Sequence, residues 1–485
     1  MRTMVKDRFS FQLNVMMLLI LMVLLLLLPK FVIWMLAFFA AMTIVLELIR
    51  IFLWVPSEIP ASATTRYEEP FVSVHLAIHN ECPEMVIQTI QTIVSQDYPN
   101  FELIVIDNNT KSTKKWKIVE QFCLDMKNVR FYHLKNWPHY KAGALNFSRR
   151  ISHRDSKYVF VVDADYQLNP NALKKAVKGI NGNNVALVQF PQSYHLEVRH
   201  HLPILADFEH FFKLYCVRAN GCLGALATGT LSLIDITALD AIGGWPTVSI
   251  TEDAELGVRL QSAGYHIKYQ NETIGKGIAP IHQQDFIKQR KRWIFGNAQT
   301  LMKYPIDPFY NFPKFISGIA QLTAWSNLLG VPILAIVASI LLSSIIPTDI
   351  SQVVLTISVS AFWFVIFGKL IQLIWVNGAA FSTIFGSLLI YLTSVSVGAF
   401  YWWPAILGKK RPFVTTDKTS KPGGYEYNLA FQVLFVVLAL IAFEKENLFV
   451  AYSSGILGFM FLVSGLFDCY CRTGSLMHFK LKLVL

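Results

Sequence analysis

Two carboxylates one residue apart, Asp163-Ala164-Asp165, end a run, Tyr158–Val162, that reads as a buried strand. On an extended segment, side chains at i and i+2 face the same way. Such a pair suits a hard, oxygen-preferring divalent cation, Mg²⁺ or Mn²⁺, which would bridge to a diphosphate and neutralise it. The plain alternative is a turn with incidental acids. Asp107 also closes a strand and leads into Asn108-Asn109-Thr110. At a sheet edge its carboxylate either accepts hydrogen bonds from a base or ribose or caps a turn, where Asp and Asn are favoured. Thr251-Glu252-Asp253 follows the Gly243-Gly244-Trp245-Pro246 turn and precedes a helical pattern over 254–263. Thr251 or Asp253 can cap that helix, and Asp253 can equally act as a general base toward a hydroxyl. Gln289, Arg292 and Trp293 stand in a basic amphipathic stretch. It reads as an interfacial helix with snorkelling cations, while the Arg292 guanidinium fork also matches a diphosphate.

The elements around these residues alternate. Strands are expected at Phe71–Ile78, Phe101–Ile106, Val129–Leu134 and Tyr158–Val162, with helices at Pro83–Gln96, Lys114–Asp125 and Lys141–Ile151. Strands alternating with helices imply an α/β domain whose mostly parallel sheet is covered on both faces. Several strands end in polar residues, at Asn80, Asp107 and Asp163. Ligands bind at the carboxyl edge of such sheets.

Outside this domain the chain changes character. The sequence is 53% hydrophobic and 15% charged, against about a quarter charged in ordinary soluble proteins, and the apolar excess sits at the two ends. Residues 1–64 hold two apolar runs, 11–28 and 31–54, each near the length needed to cross a bilayer. Arg2, Lys6 and Arg8 precede the first, which places the N-terminus and the 65–300 domain in the cytosol. Residues 301–485 hold five more runs, near 317–346, 351–375, 379–402, 427–443 and 448–467. The basic stretch 409–421 should be cytosolic, and an odd number of crossings cannot join two cytosolic segments. Six crossings are therefore expected, with one of the three runs before residue 409 re-entrant or interfacial. The net charge of +11 lies largely beside apolar runs, which reads as positive-inside charge. No nucleic-acid module accompanies it, so membrane lipid and an anionic substrate are expected as partners, and no nucleic acid. The spacing of the six cysteines matches neither a disulfide framework nor a zinc site.

Further segments complete a pattern. Ala77-Ile78-His79-Asn80-Glu81, Asp107, Lys141-Ala142-Gly143-Ala144-Leu145-Asn146, Asp163/Asp165, Thr228-Gly229-Thr230, Thr251-Glu252-Asp253, Gln289-Arg290-Lys291-Arg292-Trp293 and Phe413-Val414-Thr415-Thr416-Asp417-Lys418 occur in this order between apolar segments. In order and spacing the set resembles the processive membrane branch of family 2 glycosyltransferases, which includes cellulose, chitin and hyaluronan synthases. The resemblance covers nearly the whole chain. It implies a GT-A-type nucleotide-sugar domain inserted between transmembrane helices in the cell membrane. It implies Asp253 as the catalytic base, with Glu252 beside it. It implies Asp163 and Asp165 on the metal and diphosphate, and Asp107 and Lys141 at the nucleotide. Thr228 and Gly229 would lie in an acceptor-binding turn, Gln289, Arg292 and Trp293 in the Gln-x-x-Arg-Trp signature, and Thr416 and Lys418 in a gating loop at 409–421. Asn108 departs from the family, which often has a second acid there. The short tail after Phe467 leaves no space for a cyclic-dinucleotide domain, so regulatory or export proteins are expected as separate chains.

The implied reaction moves a sugar, first of all glucose from UDP-glucose, with inversion onto a growing β-linked glycan that passes through the membrane. A non-processive transferase acting on a lipid or polyprenyl phosphate is the first alternative. A transporter that retains the nucleotide fold without transfer is the second.

Overall fold

The computed structural model describes residues 16, 23, 28–52, 69–195, 211–279, 283–304, 312–377, 381–409 and 429–482. The central domain is built on β1 (Phe71–Ile78), β2 (Phe101–Asn108), β3 (Val129–Leu134) and β4 (Ser156–Asp163), with α2 (Pro83–Val94), α3 (Thr113–Cys123) and α4 (Tyr140–Ile151) between them. Three shorter strands that the sequence pattern did not reveal, β6 (Val185–Gln189), β8 (Ser232–Asp235) and β9 (His266–Tyr269), extend the sheet. The order is β3-β2-β1-β4-β8-β6-β9. All pairs are parallel except those of β8, which runs against both neighbours.

Alternation decides which side chains are covered. Val72, Val74, Leu76, Phe160 and Val162 pack on one face with Val86, Ile90 and Ile93 of α2 and with Leu173 and Ala176 of α5 (Ala172–Gly179). Val159 and Val161 pack on the other face with Leu145 of α4 and with Leu256 and Leu260 of α6 (Glu252–Ser262). A small second sheet pairs β10 (Gly275–Gly277) with β5 (Gln167–Leu168) and β7 (Ser193–Tyr194).

The strand order reverses at β1, with β2 on one side and β4 on the other. Register sets Ile78 opposite Asp107 and Ala77 opposite Asp163. The polar ends of three strands therefore meet at one edge, at the switch point where open α/β sheets hold ligands.

One expectation about local geometry needs correction, and one open alternative is decided. Asp165 is not on extended backbone: β4 ends at Asp163, and a turn closed by Tyr166 N–H donating to Asp163 O carries Ala164 and Asp165. Asp253 is not the cap of the following helix. α6 begins at Glu252, its N-cap is Thr251, and the Thr251 side chain makes no capping bond.

The domain is joined to apolar helices. α1 (Pro29–Phe52) packs against α9 (Gly330–Leu341) and α10 (Thr348–Asn377), and α12 (Leu429–Glu444) forms a hairpin with α13 (Leu448–Lys482). Among the described residues, three helices are long and apolar enough to cross a membrane: Pro29–Ile51, Thr348–Trp375 and Leu448–Phe467. The first apolar run, 11–28, lies almost wholly outside the described residues. The run expected over 317–346 is broken: α8 (Phe312–Leu322) stops, and α9 begins only at Gly330. Pro332 accounts for the break, because in a continuous helix its ring would meet the carbonyl of Leu328. Leu328 adopts φ 55°, and Asn327 Oδ1 accepts the Leu329 N–H at 3.0 Å. The 379–402 run begins with α11 (Phe381–Thr393) and is bent by 47° between Thr383–Thr393 and Val395–Ile406.

Candidate active site

A cavity of about 820 Å³ opens at the β1/β4 edge. Of the residues singled out above, Lys141, Asp163, Asp165, Thr228, Glu252, Asp253, Gln289, Arg292 and Trp293 all line it. They come from the end of β4, the turn after it, the segment at Thr228 and three helices, α4, α6 and the helix Gln283–Lys303.

Lys141 opens α4, which is tied down by Asn146: its Nδ2 donates to Trp245 O at 2.8 Å and its Oδ1 accepts the Trp245 N–H at 2.9 Å. Lys141 Nζ then lies 2.5 Å from Asp163 Oδ1 and 3.7 Å from Glu252 Oε1. Burial lowers the basicity of this ammonium, but Asp163, Glu252 and Asp253 outweigh it and hold the group above the ordinary lysine range. Asp163 is fixed through its backbone, whose N–H donates to Thr230 Oγ1 at 3.0 Å.

The turn before α6 is gripped by α7 (Gln283–Lys303). Ser249 Oγ donates to Gly296 O at 2.8 Å and lies 2.9 Å from Thr251 Oγ1, and Gln299 Oε1 accepts the Ile250 N–H at 3.2 Å. α7 presents Gln289, Arg292 and Trp293 to the cavity because residues three and four apart share a helix face. Burial draws the Arg292 guanidinium down, while Glu252, Asp253 and Asp163 pull the other way.

Asp253 holds the central position. Its Oδ1 accepts the Ala254 N–H at 2.9 Å. Burial raises its carboxyl, the Glu252 charge adds to this, and Lys141 offsets part of it, leaving it pushed up to about 7. Gly229, at φ 92°, packs so closely that a Cβ there would stand 2.8 Å from Asp253 Oδ2. Asp253 also lines a second, smaller chamber of about 60 Å³ with Phe211, Phe212, Gln321, Trp325 and Asn297. Gln192, Thr228, Thr251 and Trp293 belong to both walls. Asp253 therefore stands at the neck between a large polar cavity and a small aromatic one.

Asp107 reaches the sheet edge but is not among the residues that line the cavity. It is 1% exposed, accepts from Thr110 Oγ1 at 2.5 Å and lies 2.5 Å from His133 Nδ1, while Asn108 and Asn109 form the wall in front of it. Thr416 and Lys418 lie outside the described residues. Glu81, in the first-strand edge motif but not expected as a contact, lines the cavity. Burial pushes its carboxyl up to about 7, against hydrogen bonds from backbone N–H groups. Phe211 and Trp325 had no motif to mark them in the sequence.

Residues 158–408, more than half of the chain, match the family model described as glycosyl transferase family group 2. The chain belongs to this family. It is 27% identical over 267 residues to a probable glucomannan 4-beta-mannosyltransferase 7 of Oryza sativa subsp. japonica, covering 53% of this chain and 45% of that one. It is 28% identical over 246 residues to a glucomannan 4-beta-mannosyltransferase 2 of Arabidopsis thaliana, covering 48% and 46%. It is 29% identical over 173 residues to a UDP-forming cellulose synthase of Dictyostelium discoideum, covering 35% and 16%. The chain spans about half the length, or less, of these curated relatives. Among solved structures, a mannosyltransferase from Pyrobaculum calidifontis in complex with GDP-Man and Mn²⁺ is similar at TM-score 0.49 and 18% identity, covering 75% of this chain and 97% of that one. The chain is thus a family group 2 glycosyl transferase whose central α/β domain is joined, among the described residues, to three helices long and apolar enough to cross a membrane.

Proposed function

We propose that the protein is a processive, inverting polysaccharide synthase that extends a β-linked glycan with hexose from a nucleotide sugar and passes the product through the membrane. The observation that carries this reading is the place of Asp253 at the neck between the two cavities. A nucleotide sugar fits a pocket of about 300–1,000 Å³, and the larger cavity brings cations and carboxylates to one edge. The smaller chamber is aromatic, which suits the faces of a sugar acceptor.

Asp163 and Asp165 supply oxygen donors only, as Mg²⁺ or Mn²⁺ prefers. Among the described residues no group of three Asp, Glu, His or Cys side chains forms a closed metal cage. An open pair of carboxylates completed by substrate phosphates is how Mg²⁺ is commonly held, so the residues fit. Bound there, the cation would neutralise the diphosphate. Lys141 and Arg292 place further positive charge where the leaving diphosphate gains negative charge. Asp253 takes the proton from the acceptor hydroxyl, whose oxygen attacks the anomeric carbon as the bond to the diphosphate breaks. A carboxyl near 7 suits that role, because a general base works best with a pKa near the operating pH.

UDP-glucose is the donor that the resemblance to cellulose synthases favours. A nucleotide-linked mannose is the second reading, favoured by relatives named as mannosyltransferases. The domain limits 1–64, 65–300 and 301–485 stand as part of this proposal. The bent segment 381–406 is assigned as the apolar run that does not cross. It follows α10 directly, and its second half packs on α7 at the catalytic domain, so both of its ends lie at the cytosolic face.

The test offers UDP-glucose, UDP-GlcNAc and GDP-mannose to the purified protein with Mg²⁺ or Mn²⁺, followed by product length and linkage analysis. A long β-linked polymer from one donor, abolished by chelation, is expected. Single-sugar transfer to a lipid would replace the synthase reading with the non-processive one.

A further inference from the structure

Arg50 is buried in the last turn of α1, with 6% of its surface exposed. Charged groups at such positions are costly and usually functional. Its Nη1 donates to Glu47 Oε2 at 3.1 Å. Its Nη2 donates to two backbone carbonyls, Thr323 O at 2.6 Å and Ser326 O at 3.0 Å. Those carbonyls lie on either side of Trp325, in the break between α8 and α9. Glu47 packs closely on α10, where a Cβ at Gly368 would meet its Oε1 at 2.6 Å.

Trp325 is the part of this segment that reaches the aromatic chamber. Its ring stacks on Phe211 at 4.8 Å and lies 5.4 Å from that of Trp293. The Arg290 guanidinium, from α7, is 3.5 Å from its centroid. A loop holding a chamber wall would be free to shift on its own. Here one arginine holds its backbone from the membrane side and another covers its ring from the catalytic side.

We propose that Arg50, held by Glu47, is a positioning residue that sets Trp325 in the wall of the acceptor chamber and so links the membrane helices to acceptor binding. This rests on the transferase reading above for its acceptor, but not for its geometry. Lysine at position 50 keeps the charge yet lacks the fork that reaches Glu47 and two carbonyls together.

The test uses the full-length protein in nanodiscs. Arg50→Lys is compared with the double variant Glu47→Gln/Arg50→Gln, which removes both members of the ion pair together and leaves the buried Lys369 over the Tyr391 ring. Kinetics are read against a β-linked tetrasaccharide of the hexose that the parent polymerises, and against donor. The acceptor KM should rise about tenfold, as for a displaced binding wall, with the donor KM unchanged. Trp325→Phe should give the same split, and combining it with Arg50→Lys should add nothing further. With 5-fluorotryptophan incorporated, the ¹⁹F resonance lost in Trp325→Phe should move in Arg50→Lys, without any donor present. A parent that transfers from no nucleotide sugar while this resonance still moves sinks the transferase reading and leaves the clamp standing. An unmoved resonance, an unchanged acceptor KM, or a parallel rise of both KM values overturns the clamp. Failure of both Arg50 variants to fold would make Arg50 a stability residue only, which also overturns it.

Discussion

Lys141 sits among three carboxylates, and its charge is what keeps Asp253 from rising further. Lys141→Met should therefore move the Asp253 carboxyl upward by about one unit or more, as expected on losing a nearby opposite charge. Transfer needs the carboxylate, so the rate should rise with pH through about 7 in the parent and through a higher value in the variant. Measured kcat–pH profiles check this, and coincident acid limbs would mean that Lys141 does not act on Asp253. At this scale much of the site was legible, because carboxylates and cations at fixed offsets from strand ends carry their own chemistry. Asp107 was the exception. It lies at the sheet edge as expected, but its carboxylate turns back to Thr110 and His133, a choice set by neighbours that a strand-end position does not reveal.

Between elements, the decisive contact is that of α7 against the turn before α6. A Cβ at Gly296 would lie 2.5 Å from Thr251 Oγ1 and 2.9 Å from Thr251 N. The neighbour includes backbone, so it cannot simply rotate away. Gly296→Ala should push the Thr251–Asp253 turn off α7, lowering thermal stability by about 1–3 kcal/mol as overpacking does and lowering turnover with it. A melting curve and a transfer rate both equal to the parent's would show that the turn has slack. The strands of the first half of the sheet were legible because each is a short run rich in β-branched and aromatic residues, followed by polar residues. β8 and β9 were not, since four-residue strands carry too little periodicity. The break after Leu322 was hidden inside a continuous apolar run; hydropathy does not register a proline ring meeting a carbonyl. The chamber residues Phe211 and Trp325 are more than a hundred positions apart and are joined only by the fold.

For the whole molecule, the catalytic domain and the outer hairpin turn should lie on opposite sides of the membrane. Gln352 Nε2 donates to Lys445 O at 3.2 Å, which sets the α12–α13 turn level with the start of α10. Cysteines placed at Asp125 and at Glu444, in a chain whose six natural cysteines are replaced, give a direct reading. An impermeant thiol reagent on intact cells should label position 444 and spare position 125. Labelling of both, or of position 125 alone, would break the proposed topology. The apolar ends and the soluble middle were legible from composition. The crossing count was not, because a bent or broken helix has the same composition as a straight one.

In the proposed reaction donor and acceptor meet at the neck between the two cavities, so the most direct measurement is made at Asp253. Asp253→Asn keeps the shape and removes the proton acceptor. An Asp whose folded pKa is raised contributes stability that is present at low pH and lost as pH rises through about 7. The Asn variant should thus melt no lower than the parent at pH 8. Its donor binding should match the parent's, and its kcat should fall about 10²–10⁴-fold, the usual worth of a positioned general base. A folded Asp253→Asn protein that binds donor and polymerises at the parent rate would contradict the assignment and move the search for the base to Glu252.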